Sequence, residues 1–282
     1  MDRLIHLLVP SLLLALLSAC GAMPAATPAT KAGAVATTLN VFAAASLTVA
    51  FGEIATTFEA QNPGVTVAYN FAGSNQLARQ ITEGAPADVF ASANKRQMDV
   101  VVEAGQVISG AQCTFVRNRL VVIYPNENPA GIQTLRDLAK PGIKLVLAAK
   151  EVPVGQYALD FLGKASASPE YTTAFSETVT ANIVSYEENV RAVLSKVSLG
   201  EADAGIVYTS DVAGEAARTI GRIDIPDQLN TIADYPIAPI KDAPNAELAQ
   251  HFADYILSPE GQTILANYGF IPVNDSRASS EP

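Results

Sequence analysis

Two serines stand where runs of small and apolar residues change period. Val41-Phe42-Ala43-Ala44-Ala45 has the unbroken apolar character of a buried strand, and Ser46 follows it directly. Beyond Ser46, apolar side chains recur at Leu47, Ala50, Phe51, Ile54, Ala55 and Phe58, the spacing of one helical face. Val67–Phe71 predicts a second strand, and Ala72-Gly73-Ser74-Asn75 leads into a second helical start at Gln76–Ile81. A serine at an N-cap satisfies one of the free N–H groups of a helix start. Those N–H groups, with the positive end of the helix dipole, also hold anions. Capping alone accounts for a single such serine. Two strand-to-helix turns, each with a serine at its helix N-terminus, point to an anion site built from Ser46 and Ser74.

Other chemistries find less support. Past the first twenty residues one histidine remains, His251, in a helix-like segment with no sequence partner for a triad or a metal site. No GxSxG nucleophile elbow is present. Gly163-Lys164 lacks the earlier glycine and the following Ser/Thr of a phosphate loop. The carboxylate pair Glu187-Glu188 falls on a predicted helix, where adjacent residues do not face each other, and reads as surface charge. No enzyme and no cofactor are expected. The formal charge is −10 with no basic stretch, which argues against nucleic acid as a partner. The same acidity repels a dianion at long range, so an anion must be held by short-range donors. Arg79 and Arg191, each about a turn into its helix, read as solvated or structural charges.

The elements that must position the serines alternate strand and helix. Strands are expected at Asp88–Ala91, Arg119–Tyr124, Lys144–Ala148, Ile183–Ser185 and Ala204–Tyr208. Helices are expected at Lys95–Ala104, Gln156–Lys164 and Glu187–Leu199, and Asp234–Ile240, Ala246–Leu257 and Ser258–Phe270 form a closing section. This pattern predicts an α/β fold with mostly parallel strands. Ahead of it, Leu4–Leu17 is too short for a membrane span and suits a signal h-region. Leu17-Ser18-Ala19-Cys20 resembles the bacterial lipobox, with cleavage before Cys20 and a lipid on its sulfur. Gly21–Thr37 is Ala/Thr/Pro/Gly-rich and reads as an unstructured tether reaching roughly 20–25 Å. With Cys20 lipidated, Cys113 has no disulfide partner and is expected as a small buried side chain at the start of a strand.

AAASL at Ala43–Leu47, FAGSNQLARQI at Phe71–Ile81, GAPADVFASA at Gly84–Ala93 and GIVYTSD at Gly205–Asp211 resemble the molybdate-binding proteins of bacterial ABC uptake systems. The resemblance runs from about Leu39 to Val273 in the family's order. It implies two lobes with the ligand cleft between them, a periplasmic-binding-protein fold. The implied lobes are 38–116 plus 230–274 and 117–229, joined by crossovers near Arg117 and Asp227. They follow a signal peptide (1–19) and the lipidated tether (20–37), and precede a C-terminal tail (275–282).

Five positions match the family's oxyanion-binding pattern: Ser46, Ser74, Val154, Val190 and Tyr208. The valines by side chain read as core, and the pattern uses their backbone N–H groups. Position 154 departs from the alanine that family members carry between proline and glycine. Tyr208 without the resemblance reads equally as a surface tyrosine. The implied function is capture of molybdate, and of tungstate, by an extracytoplasmic lipid-anchored monomer that hands it to an ABC permease. A binding protein for another tetrahedral oxyanion such as sulfate is the alternative, and a lipid-anchored sensor subunit of the same fold comes third.

Overall fold

The computed structural model describes residues 36–273. The expected signal peptide, Cys20, nearly all of the tether, and the tail at 275–282 lie outside the described residues. At its end the tether is shorter than expected. Thr37 already belongs to the first strand and donates its N–H to Gly64 O at 2.9 Å.

The first sheet is built by β1 (Thr37–Ala44), α1 (Thr48–Gln61), β2 (Val65–Ala72), α2 (Ser74–Thr82), β3 (Val89–Ala91), α3 (Lys95–Glu103) and β4 (Cys113–Asn118). In β1, Val41 through Ala44 are all buried, as a central strand covered on both faces requires. It pairs in parallel with β2 and with β3. Helix α1 lays Ala50, Phe51, Ile54 and Phe58 on the sheet, the face its periodicity predicts. Phe51 and Phe58 pack edge-on against Phe252, with ring centroids 6.3 and 5.1 Å apart. Cys113 does begin a strand, but it is exposed. It opens β4 at the sheet margin, where burial begins only at Phe115.

The chain then crosses to a second sheet with a single residue, Arg119, between β4 and β5 (Leu120–Pro125). That half adds β6 (Leu145–Ala148), α4 (Pro153–Ala167), α5 (Phe175–Ala181), β7 (Ile183–Glu187), α6 (Val190–Ser198), β8 (Ala204–Tyr208) and β9 (Ile220–Asp224). Residues 225–232 return it to the first sheet, where β10 (Ala233–Pro239), α7 (Ala246–Leu257), α8 (Pro259–Asn267) and β11 (Ile271–Pro272) complete the fold. Strand order is β11-β4-β10-β3-β1-β2 in the first sheet and β7-β6-β8-β5-β9 in the second. Both sheets are mixed. Parallel pairs surround β1 and β6, and antiparallel pairs join β10 to β3 and β4, and β5 to β8 and β9.

The two crossings are fastened side by side. Asn230, buried, offers Leu120 what a neighbouring strand would: its Oδ1 accepts the Leu120 N–H at 3.1 Å and its Nδ2 donates to Leu120 O at 2.9 Å. Ion pairs Arg117–Asp234 (2.8 Å) and Arg119–Asp227 (2.5 Å) flank this join. Both are well exposed, and such pairs contribute little, about 0–1 kcal/mol each. The buried amide is the stronger fastening.

Candidate functional site

Every site residue expected from the sequence follows the carboxyl end of a strand with a parallel partner. Ser46 follows β1, Ser74 follows β2, Val154 follows β6, Val190 follows β7, and Tyr208 is the last residue of β8. Open α/β sheets bind ligands at this end, where loops lead into helix N-termini. The five converge, and all line one cavity between the two sheets.

The local structures differ in part from those expected. Ser46 is not an N-cap. It sits inside a 3-10 turn, Ala45–Leu47, and Leu47 caps α1 without a side-chain bond. The Ser46 hydroxyl instead meets the Tyr235 hydroxyl at 2.9 Å. Ser74 is the first residue of α2, after Gly73, and its Oγ accepts the Ala93 N–H at 3.0 Å. Helix α4 begins at Pro153, three residues before the expected Gln156, because proline's fixed φ suits a first helical position. Val154 is therefore the second residue of α4. Val190 opens α6, where the Asn189 side chain caps the helix by accepting the Ala192 N–H at 3.0 Å. Both valine side chains are buried, as their core character requires, and their N–H groups belong to the unpartnered first turn.

The cavity is small and uncharged. Its volume is about 210 Å³, part of it open to solvent. That suits one compact ion. No Asp, Glu, Lys, Arg or His lines it. Among its alanine, valine and proline lining, the groups with hydrogen-bonding capacity are hydroxyls, Asn189 and the N-termini of α2, α4 and α6, with the 3-10 turn before α1. Partial positive charge from these helix ends favours an anion without any formal cation. The Tyr208 hydroxyl, fully buried, has no hydrogen-bond partner among the described residues. Burial raises its pKa well above the phenol range, so it is a proton donor at any physiological pH.

The walls meet closely. Gly73 lies so near the second half that a Cβ there would come within 2.7 Å of the Glu188 carbonyl oxygen. At Gly155 a Cβ would come within 2.2 Å of Ala149 O, so α4 starts where it does only with glycine in that place.

Several supporting residues are not singled out by the sequence reading. Asp211 accepts the Tyr208 N–H at 3.0 Å, and its second oxygen is buried without a partner. Burial pushes its pKa up to about 7, against the Tyr208 N–H and the Arg191 charge that pull it down. Asn189 is an ordinary N-cap type and was readable as one. Tyr235 and Asn118 stand far from Ser46 in sequence and near it only in the fold.

The residues of catalytic type lie apart from this cavity. His251 lies in α7 with its ring 5.2 Å from that of Phe58, centroid to centroid. Glu187 is not on a helix. It ends β7, largely buried, held by Lys196 at 2.7 Å and by the Ser185 hydroxyl at 2.6 Å. Among the described residues no cluster of His, Cys, Asp and Glu is arranged to hold a metal, and no helix is long and apolar enough to cross a membrane.

Comparison with known proteins agrees with this geometry. Residues 39–271 match the family described as bacterial extracellular solute-binding protein. The molybdate-binding protein ModA of Mycobacterium tuberculosis (strain H37Rv) is 39% identical over 264 residues, covering 93% of this chain and 95% of that relative. ModA of Escherichia coli (strain K12) is 35% identical, covering 82% of this chain and 88% of the relative. Among solved structures, the periplasmic molybdate-binding protein of Azotobacter vinelandii superposes with a TM-score of 0.73 at 21% identity, over 83% of this chain and 98% of that one. The chain belongs to the bacterial extracellular solute-binding protein family, and its work is the capture of a solute rather than catalysis.

Proposed function

We propose that the protein captures molybdate, and tungstate equally, through Ser46, Ser74, Tyr208 and the backbone N–H groups of Val154 and Val190, and delivers it to an ABC permease. The observation that carries this reading is the uncharged, donor-lined cavity at the N-termini of α2, α4 and α6. Molybdate and tungstate are deprotonated dianions near neutral pH, so all four oxygens only accept hydrogen bonds. Phosphate keeps a proton and needs an acceptor, which no lining carboxylate supplies. The names of the relatives support molybdate over sulfate, which shares the charge and the acceptor pattern on a smaller frame.

Charge-assisted hydrogen bonds contribute roughly 1.5–3 kcal/mol each. Roughly five to seven of them, set against association costs, leave about −8 to −12 kcal/mol, a micromolar to nanomolar Kd. No cofactor takes part, and no bond to the ion is made or broken. The first sheet's half, which runs to Asn118 and resumes at Ala233 rather than breaking at 116/117 and 229/230, and the second sheet's half, residues 120–224, act as two lobes that close about the crossovers at Arg119 and 225–232. Opening by the permease releases the ion.

Thermal unfolding with and without each anion tests the assignment. Molybdate at about 1 mM, on the order of a thousand times a micromolar Kd, adds roughly 4 kcal/mol and raises Tm by about 8–16 °C. Phosphate at the same concentration leaves Tm nearly unchanged. A larger shift with phosphate than with molybdate would overturn the reading.

The protein acts as a monomer on the outer side of the membrane, held there by lipid on Cys20. More than one acyl chain anchors stably where one is marginal. Cys20→Ala is therefore expected to move the protein from the membrane to the soluble fraction. Retention of that variant would mean that another segment holds it.

A further inference from the structure

We infer that Tyr235, oriented from behind by Asn118, is a positioning residue that fixes the Ser46 hydroxyl as a donor toward the cavity. Tyr235 and Asn118 do not line the cavity themselves. The inference rests on the oxyanion reading of the site and extends it to the source of its selectivity.

The direction of the hydrogen-bond chain follows from one unambiguous donor. The Arg119 backbone N–H points at Asn118 Oδ1 at 3.0 Å, and the Thr209 hydroxyl donates to the same oxygen at 2.8 Å. A backbone N–H has only a proton to offer, so this end of the amide is the oxygen and the other is the NH2 group. That NH2 group donates to Ser210 Oγ at 2.8 Å and to the Tyr235 hydroxyl at 3.3 Å. An amide N–H accepts nothing, and the Tyr208 hydroxyl beside Tyr235 is itself taken as a donor to the ligand, so the Tyr235 proton is assigned to Ser46 Oγ, 2.9 Å away. Burial holds the Tyr235 phenol protonated, so the donor is always present. Ser46 Oγ, accepting from Tyr235, keeps its own proton for the cavity that it lines.

Ser74 is set in the same way by a different donor, the Ala93 N–H at 3.0 Å. Both serines thus receive one proton from the protein and present one to the ligand. Preorganised donors need no reorientation when the anion arrives. A serine free to rotate would also accept a proton from a protonated anion, and that choice is removed here.

Tyr235→Phe tests this. The ring stays, packed edge-on against Tyr208 and Phe115, and Asn118 keeps its bond to Ser210, so the fold is retained. Titrated near neutral pH, the variant is expected to bind molybdate about five- to tenfold more weakly, the effect of one modest hydrogen bond. Its affinity for inorganic phosphate, both of whose forms carry a proton there, stays level or improves, so the molybdate-to-phosphate ratio falls by about the same factor. On a Ser46→Ala background, Tyr235→Phe changes molybdate affinity by less than about twofold, because the two act as one unit.

Equal losses for both anions, no loss at all, or a full loss on the Ser46→Ala background would each overturn the positioning role. A wild-type protein that binds no oxyanion would instead overturn the reading of the site, and this inference with it.

Discussion

Val190→Pro is expected to weaken molybdate binding by about one to two decades, while Val190→Ala leaves it within about twofold. The contrast follows from where Val190 sits. It is the first residue of α6, the one interior position where proline costs a helix nothing, because the N–H it removes has no intrahelical partner. Asn189 before it is extended, with φ −159° and ψ 170°, and so suits the residue preceding a proline. The Asn189 cap to Ala192 does not involve the lost N–H. Proline therefore deletes one donor and keeps the helix, and one charge-assisted bond contributes roughly 1.5–3 kcal/mol. Alanine keeps the donor and trims only a buried side chain behind it, which lowers stability by about 1–2 kcal/mol without touching the ligand. Calorimetric titration of both variants, with thermal unfolding as the control for folding, gives the answer. If alanine proves as damaging as proline, the valine acts through its side chain and the donor assignment fails.

Gly73→Ala is expected to block binding almost as strongly, by a different route. Gly73 precedes α2 with φ −61° and ψ 136°, a conformation open to any residue, and within the first sheet's half the new Cβ closely meets only the Asn75 side-chain oxygen, at 2.7 Å, which can swing aside. Its Cβ would lie 2.7 Å from Glu188 O, a backbone atom in the turn between β7 and α6 of the other half. The halves must then stand further apart, and the helix ends that face each other across the cavity no longer reach one small ion together. Overpacking of this kind costs about 1–3 kcal/mol, here charged to the closed, ligand-bound arrangement. The expected result is a five- to hundredfold weaker Kd, by the conversion of that cost, with an unchanged Tm in the absence of anion. A fall in Tm without anion, or wild-type affinity, would show that the approach at Gly73 is not part of binding.

Much of the frame was legible because periodicity reports burial. Strand β8 and helix α3 lie where their apolar patterns place them, at Ala204–Tyr208 and Lys95–Glu103. The start of α4 was misplaced because Val-Pro-Val-Gly reads as a loop when the role of Pro153 as a first helical residue is overlooked. Helix α5 was missed because Phe-Ser-Glu-Thr-Val-Thr-Ala is short and rich in β-branched residues. Ser46 looked like an N-cap because a 3-10 turn uses the same residue types at the same junction. Side-chain chemistry could not single out Val154 and Val190, since the contribution proposed for them is a backbone group, and only the resemblance pointed to them. Tyr235 and Asn118 had no signal at all. Their place depends on the crossing between the sheets, which brings residues 189 apart into hydrogen-bonding contact.

The central claim is that a cavity without formal charge selects a fully deprotonated tetrahedral oxyanion by offering only donors. One calorimetric titration of the protein near neutral pH, with molybdate, tungstate, sulfate and phosphate in turn, tests it most directly. The account predicts one site per chain, molybdate and tungstate bound alike with a Kd between about a micromolar and a nanomolar, sulfate more weakly, and phosphate most weakly of the four. Phosphate binding more tightly than molybdate would contradict it.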